Sequence, residues 1–483
     1  LKKKSRNPHN PRFSRERELD MTDNIIREIR VIRENPRFRR YPEYKESGVE
    51  WIGEIPAHWE INRLKYVAKI LPSNVDKHIY PDEIQVRLCN YTDVYYNDYI
   101  TVDTVLKKGS CKESEFTKFV LRKGNVIITK DSETPDDIGV PTFVKDDLNN
   151  VVCGYHLTMI RPLVCRGEFI FRFIQSDRMR KYFELESNGV TRYGLGKSSI
   201  ENLLLPIPTD SEQRQIANFL DRKTEQIDEL IRIKERRIEL LQEQRIALIN
   251  QAVTKGLDPN VEIKPSGVEW IGEIPAHWKV LRTKHVGSSN PSKNNTKTAC
   301  LKDELVVFLP MERVHADGTI DQELRLPYSQ MKNGYTYFEE GDILIAKVTP
   351  CFENGKIVHI KNLATSVGFG STEFIVMRPD LQKVFPPFLH YIFYNAPLRS
   401  IGKHFMTSAI GLKRVPTEFV ENFRIPIPTY QEQTQIASFL DRKTQQIDDL
   451  IAAEHRKIQL LQEYRQSLIS EAVTGKIDVR SKV

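Results

Sequence analysis

The thirteen residues SGVEWIGEIPAHW stand at 47–59 and return letter for letter at 266–278. A string with two tryptophans, two isoleucines, a proline and two glutamates is not low-complexity sequence. Its return marks an internal duplication, which constrains the fold of this chain more than any bulk property can. The duplication extends further: LPIPTDSEQRQIANFLDRKTEQIDELI (205–231) matches IPIPTYQEQTQIASFLDRKTQQIDDLI (425–451) at an offset of 220, and LLQEQRIALINQAVT (240–254) matches LLQEYRQSLISEAVT (460–474) at the same offset. The segments between, roughly 60–204 and 279–424, share only scraps such as GNVIITK (124–130) with GDILIAK (341–347) and MIRP (159–162) with VMRP (376–379). The chain is two similar frames, each holding its own divergent insert.

The shared frame reads as a long helix. After a Pro-Ile-Pro brake, Thr209-x-x-Glu212 and Thr429-x-x-Glu432 have capping-box spacing. No Pro or Gly interrupts 209–255 or 429–474, and Gly256 and Gly475 follow as C-terminal stops. Ile227, Ile231, Ile238, Leu241, Leu248 and Ala252 recur at spacings of four, three and seven, and Ile447, Ile451, Ile458, Leu461, Leu468 and Ala472 repeat the stripe. Such a stripe is a coiled-coil-like seam, and its nearest available partner is its own repeat. From Glu212 to Val253 an unbroken helix spans roughly 60 Å at ~1.5 Å per residue. Each insert joins its helix at the N-terminus. Antiparallel pairing then sets the inserts at opposite ends of a rod, about a pseudo-two-fold axis, whereas parallel pairing crowds them together. The antiparallel arrangement is expected.

The inserts contain strand-like runs (NVIITK, VVCGYHLTMIRP, DILIAKV, STEFIVM) and helical stretches (EFIFRFIQSDRMRKYFEL, PPFLHYIFYNAPLRSIGKHF), which predict compact α+β domains. The expected fold class is α+β: two α+β domains joined by two long helices that form an antiparallel coiled coil with pseudo-two-fold symmetry. The expected segments are a basic, disordered extension at 1–41, a first domain with its opening segment at 42–205, a central helix at 206–256, a second domain with its opening segment at 257–425, a C-terminal helix at 426–476 and a tail at 477–483. The four tryptophans, Trp51, Trp59, Trp270 and Trp278, are expected to anchor head to rod.

Charge adds one restriction. The net charge of +7 resides in residues 1–45, with 14 Lys/Arg against 7 Asp/Glu, while the remainder balances at 58 against 58. A nucleic-acid reading of the body therefore has to rest on local patches. No apolar run reaches the ~18 residues of a membrane span. The six cysteines form no CxxC pair, which fits a reducing cytoplasm.

Two unlike heads on a fixed spacer suit a two-part target, and half-sites on one face of B-DNA lie about 34–36 Å apart. Here the sequence resembles a known family. The GVEWIGEIPAHW block, the PIP-T-x-x-EQ-x-QIA-x-FLD-x-KT string and the LLQE-x-R-x-x-LI-x-x-AVT ending, duplicated and in order from about residue 42, are similar to the two conserved regions of type I restriction–modification specificity subunits. The resemblance implies that the inserts are target recognition domains, each reading one half of a bipartite site in double-stranded DNA. It implies that the helices act as a ruler and dock two methyltransferase (modification) subunits, with restriction subunits completing the nuclease. S-adenosylmethionine, ATP and Mg would then belong to those partners, and this chain would carry no cofactor. Residues 1–41 fall outside the pattern.

Candidate DNA contacts lie on loops leaving strands. In the first insert these are Lys130, Asp131, Ser132 and Glu133 of KDSETPDD, where a lysine can reach phosphate or guanine and a carboxylate can accept from cytosine. Tyr155 and His156 follow Gly154 as a stacking or packed pair. Arg178, Arg180, Lys181, Arg192, Tyr193 and Lys197 make a basic, Gly-hinged region suited to backbone contact. In the second insert the candidates are Lys347, Thr349, Asn354 and Lys356 of AKVTPCFENGK, then Ser371, Thr372 and Glu373 behind Gly370. Arg399, Lys403, His404, Lys413 and Arg414 complete that set. An ordinary solvated surface is the competing reading for each.

Catalytic signatures fail one by one. Phe385-Pro386-Pro387-Phe388 lacks the polar first residue of an amino-methyltransferase motif. In GLGKS (194–198) the position needed for a phosphate-loop glycine is Thr191. No HExxH occurs, the eleven histidines show no ligand spacing, and Pro135-Asp136 finds no nuclease partner. A fused methyltransferase is disfavoured. A scaffold without DNA contact explains the helices but not the divergence of the two heads. The expectation is a non-catalytic DNA-recognition subunit.

Overall fold

The computed structural model describes residues 38–293, 304–315, 318–331, 333–409 and 411–480. The proposed extension at 1–41 lies outside the described residues except for its last four. Two of those four are packed: Phe38 lies edge-on to Phe219 and Tyr41 edge-on to Trp59. Ordered packing thus starts at least four residues before position 42.

Both long helices run unbroken, Asp210–Lys255 and Tyr430–Val473. The first is 46 residues, which at ~1.5 Å per residue gives roughly 70 Å. Their starts are held by the predicted boxes. Glu212 N donates to Thr209 Oγ1 at 3.4 Å while Glu212 Oε2 accepts from Thr209 N at 3.1 Å. Thr429 and Glu432 repeat this at 3.4 and 3.0 Å. Their ends turn at Gly256 (φ 76°) and Gly475 (φ 71°), in the left-handed conformation that glycine adopts without a Cβ penalty.

The chain divides into two compact units that are not contiguous in sequence. One holds residues 1–235 and 454–483, the other 236–453. Each cut falls within a long helix, so each unit contains the start of one helix and the end of the other.

In the first unit a five-stranded sheet runs in the order Ala68–Pro72, Leu157–Pro162, Val126–Thr129, Pro141–Val144, Tyr99–Ile100. A three-stranded sheet (Val151–Cys153, Ile84–Cys89, Lys107–Cys111) accompanies it. The helices Gly167–Ile174 and Asp177–Glu186 follow, and the head closes where Leu204–Ile207 pairs antiparallel with Glu60–Arg63. Buried Arg172 fastens the head to its helix, donating to Asp221 at 2.6 Å and Thr224 at 3.1 Å. The start of the first long helix packs against the end of the second: Ile216, Phe219, Leu220 and Ile227 share a core with Leu461, Leu468, Ile469 and Val473. Arg465 contacts Asp228 at 3.0 Å and Lys234 contacts Glu454 at 3.0 Å, so one helix ascends as the other descends.

The second unit repeats the plan with other residues. One four-stranded sheet runs Gly287–Ser289, Phe374–Pro379, Ile343–Ala346, Ile357–His359, and another runs Arg325–Pro327, Leu305–Leu309, Gly368–Gly370, Thr336–Phe338. Helices Pro386–Tyr394 and Ala396–Phe405 follow, and Arg424–Ile427 pairs with Lys279–Arg282 to close the neck. Tyr391 takes the place of Arg172, donating to Asp441 at 2.7 Å. Ile249, Ala252 and Val253 share a core with Ile436, Ala437 and Leu440, and Arg245 contacts Asp448 at 3.4 Å.

Of the seam residues, Ile227, Ile238, Leu241, Ile447, Leu461 and Leu468 are buried. Ile231, Leu248, Ile451 and Ile458 are half-buried.

The duplicated string now has a physical role. In the first unit Ile52, Ile55 and Trp59 pack on Ala472 and Val473, and Tyr44 Oη donates to the Gly475 carbonyl at 3.0 Å. His58 Nε2 lies 2.9 Å from Glu212 at the start of the other helix. In the second unit Ile271, Ile274 and Trp278 pack on Ala252 and Val253, and His277 lies 2.9 Å from Glu432. Each copy joins the end of one long helix to the start of the other. Trp51 packs on Phe173 and Tyr182, and Trp270 stacks on Phe423 at 5.2 Å.

Candidate nucleic-acid interface

In the first head the sheet ends where Val126–Thr129 runs out, and the next residues form a short strand instead of a loose charged loop. Asp131–Ser132 pairs antiparallel with Tyr193–Gly194, register Tyr193↔Ser132. This pairing joins residues 61 and 63 positions apart in sequence. Asp131 accepts from His156 Nδ1 at 2.8 Å, and Arg192 Nη2 lies 3.3 Å from the same ring nitrogen and 3.9 Å from Asp131. His156 has φ 71°, a conformation rare for a residue with a Cβ, and such backbone concentrates at functional sites. Lys130 Nζ donates to the Ser73 carbonyl at 2.9 Å and lies 4.8 Å from the centre of the exposed Tyr155 ring. Ser132 is buried and Glu133 exposed.

Beside this group is a hollow of about 590 Å³ lined by Lys77, His78, Asn90, Tyr91, Lys107, Lys108, Tyr155 and His156. Burial raises the Tyr91 hydroxyl above its ordinary range. Lys77, His78, Tyr91, Lys107 and Lys108 lie outside the candidate contacts legible in the sequence. They come from segments without repeat or motif, and only the sheet brings them to one place. Lys197 stands apart, paired with Glu201 at 3.1 Å on a short helix. Arg178 departs from its expected surface role by donating to the Trp51 carbonyl, where it holds the opening segment.

The second head gathers a matching group. Lys347 N donates to Glu373 O at 2.8 Å, and Thr349 N to Lys413 O at 3.0 Å. Arg414 grips the Glu373 carboxylate through Nε and Nη2, each at 2.9 Å. That guanidinium, with opposing burial and assistance from Lys347, holds the Glu373 carboxyl below the usual carboxylate range. Ser371 Oγ accepts from Glu373 N at 3.2 Å, and Thr372 is exposed. Lys356 and Lys403 are engaged elsewhere: Lys356 donates to Met311 O at 2.8 Å, and Lys403 pairs at 2.7 Å with Glu353, next to exposed Asn354. Arg399 departs likewise, donating inward to the Tyr394 carbonyl at 2.6 Å.

The type I restriction modification DNA specificity domain matches residues 56–242 and 316–462, one match over each frame. A solved chain described under complex assembly and conformational transition of the type I R-M system superposes with TM-score 0.65 at 16% identity, covering 87% of this chain and 98% of that one. The HsdS subunit from Thermoanaerobacter tengcongensis superposes with TM-score 0.50 at 18% identity, covering 89% and 100%. These structures show a shared fold. The chain belongs to the type I restriction–modification DNA specificity family.

Within that family it is 35% identical over 198 residues to the Escherichia coli type I restriction enzyme EcoEI specificity subunit, covering 40% of this chain and 32% of that one. It therefore spans about a third of that relative's length. Over 453 residues it is 23% identical to the putative MjaX specificity subunit of Methanocaldococcus jannaschii, covering 91% and 98%. No described helix is long and apolar enough to cross a membrane.

Proposed function

We propose that this chain is the DNA-recognition subunit of a type I restriction–modification complex and is itself non-catalytic. Each head reads one half of a bipartite target in double-stranded DNA. The two long helices pair antiparallel as a coiled coil with pseudo-two-fold symmetry, fix the distance between the heads, and dock two methyltransferase subunits. Restriction subunits complete the nuclease, and S-adenosylmethionine, ATP and Mg are bound by those partners.

The observation that carries this reading is the recurrence of one device on two unlike heads. Each has an arginine, ahead of its neck strand, beside a carboxylate just beyond the end of an interior strand: Arg192 lies 3.9 Å from Asp131 and 3.3 Å from His156, and Arg414 lies 2.9 Å from Glu373. A guanidinium steadied by a carboxylate is held in a fixed orientation, and a fixed guanidinium plane suits contact with a guanine edge or a phosphate. Tyr155 and Lys130 in the first head, and Thr349, Ser371, Thr372 and Lys413 in the second, flank the arginines with stacking and hydrogen-bonding groups. The divergence of these residues between identical frames is what separate reading of two half-sites requires.

The test is an exchange of residues 61–204 for the corresponding insert of another family member, followed by sequencing of methylated bases in a host supplying the modification subunit. The expected result is a change in one half of the motif, with the other half and the gap unchanged. A change in both halves together rejects independent reading.

A further inference from the structure

Lys234 and Glu454 are the same position of the two frames, 220 residues apart like the strings around them. They also face each other. Lys234 Nζ lies 3.0 Å from Glu454 Oε2, with the side chains 16% and 2% exposed. The second carboxylate oxygen accepts from Lys457, one turn along, at 3.0 Å.

The register makes this a self-facing point. Within the first unit Asp228 meets Arg465; within the second Asp448 meets Arg245. Asp228 and Asp448 are counterparts in the repeat, as are Arg245 and Arg465. When such reciprocal contacts flank a helix pair, there is one place between them where a residue meets its own counterpart. Lys234 and Glu454 occupy it.

Two copies of one helix pairing in this register would set that side chain against itself. Two first helices would oppose Lys234 to Lys234, and two second helices would bury a pair of Glu454 carboxylates. Like charges at a desolvated point are strongly disfavoured. The two helices match at 16 of the 20 positions of 212–231, and of the differences along the rest of their length Lys234 against Glu454 is the one that reverses a charge. We propose that the Lys234–Glu454 pair is the pairing-specificity element of the rod: it makes the first long helix select the second in preference to a copy of itself. Two unlike heads are thereby kept on one rod, and assemblies with two like heads, which would read a symmetric target, are disfavoured. This inference rests on the antiparallel pairing proposed above.

The test uses the full chain with K234E, E454K and the double K234E/E454K. Each single reversal is expected to lower the thermal midpoint by roughly 5 °C or more. The double reversal should recover most of that loss, because opposite charges again face each other across the helix pair. Differently tagged K234E and E454K chains, co-expressed, should co-purify by exchanging helices, while two wild-type chains or two double-reversed chains should not. If a reversed chain fails to accumulate, K234Q/E454Q serves instead: without the charge conflict it should yield chain dimers on concentrated refolding that the wild type does not. Unchanged midpoints in the single variants, a double variant no better than the sum of its parts, or K234Q/E454Q refolding only to monomers overturns the inference. Reversal of Asp228 and Arg465 is the control. Coupling there with none at 234 and 454 removes this inference and leaves the helix pairing standing, whereas no coupling at either removes both.

Discussion

Trp278 Nε1 donates to Glu432 Oε1 at 3.1 Å, tying the last residue of the second SGVEWIGEIPAHW string to the carboxylate that caps the second long helix. His277 Nε2 meets the same oxygen at 2.9 Å, and Thr429 N and Oγ1 donate to the other oxygen at 3.0 and 2.7 Å. In the first unit Glu212 receives His58 and Thr209 at comparable distances. There the Trp59 indole nitrogen has no hydrogen-bond partner among the described residues. The Trp–Glu bond made by the second copy of the string thus has no counterpart at Trp59 in the first.

That bond has a pH signature. Burial alone would raise the Glu432 carboxyl, but the donors from Thr429, Trp278 and His277 outweigh it and hold the group at about 2. A carboxyl depressed from its ordinary 4.5 contributes stability that is present above 4.5 and lost as pH falls towards 2. E432Q can still form the capping box but cannot titrate. It should cost about 1 kcal/mol at pH 7. Urea unfolding followed by tryptophan fluorescence should then show a shallower loss between pH 4.5 and 2 than in the wild type.

A second acid window opens earlier. His359 on the edge strand and His390 on the following helix lie 6.4 Å apart, and burial lowers them to about 3 and about 4, His359 further through its neighbour His390. His390 also receives an opposing, raising contribution from the Ile357 carbonyl. Both rings are neutral in the folded chain. The unfolded state takes up their protons below about 6.5, so stability should fall as pH drops from 6.5 towards 4, before most carboxylates protonate. H390F should remove much of that early slope and leave the lower window in place. Unfolding midpoints at half-unit intervals from pH 7.5 to 4 check this; an unaltered slope would show that the histidines are not its source.

Much of this was legible because the frame is local and periodic. Thr209-x-x-Glu212, the uninterrupted run to Lys255 and Gly256 specify a helix by chemistry contained within the helix. The two scraps shared by the inserts, NVIITK/DILIAK and MIRP/VMRP, proved to be adjacent strands of each head's sheet, paired Ile160↔Val126 and Ile343↔Met377. Interaction across the fold was not legible. Asp131 reads as a loop carboxylate until Tyr193–Gly194 arrives to pair with its strand. Arg178 and Arg399 read as surface cations, yet both turn inward to backbone carbonyls. Lys77, Lys107 and Lys108 carry no local pattern and meet only through the three-dimensional path of the chain.

Gly475 and Gly256 stop the two long helices one position out of register in the repeat and in unequal surroundings. A Cβ on Gly475 would stand 2.4 Å from Pro56 Cδ and 3.0 Å from the Trp59 ring, whereas on Gly256 its nearest neighbour is the Trp278 ring at 3.2 Å. Both replacements carry left-handed strain of about 1–2 kcal/mol. G475A must also displace a proline ring, so it should cost about 2–4 kcal/mol against about 1–2 for G256A. Denaturant titration of the two variants under one condition decides the order. Equal losses would mean that the opening segment yields freely at the end of the second helix.

The spacing between half-sites supplies the sharpest test of the ruler. Four residues inserted after Glu239 add about one turn, or ~6 Å, to the first long helix. They nearly preserve the face carrying Ile238 and Leu241, both buried. Two residues would rotate that face by roughly 200° and should abolish assembly. DNA rises about 3.4 Å per base pair, so the four-residue variant should recognise the same two half-site sequences with a gap longer by one or two base pairs. The inserted turn lies between the Lys234–Glu454 contact and the Arg245–Asp448 contact. Sequencing of methylated bases in a host with the modification subunit reads the gap directly. An active variant that retains the parental gap would show that these helices do not set the spacing.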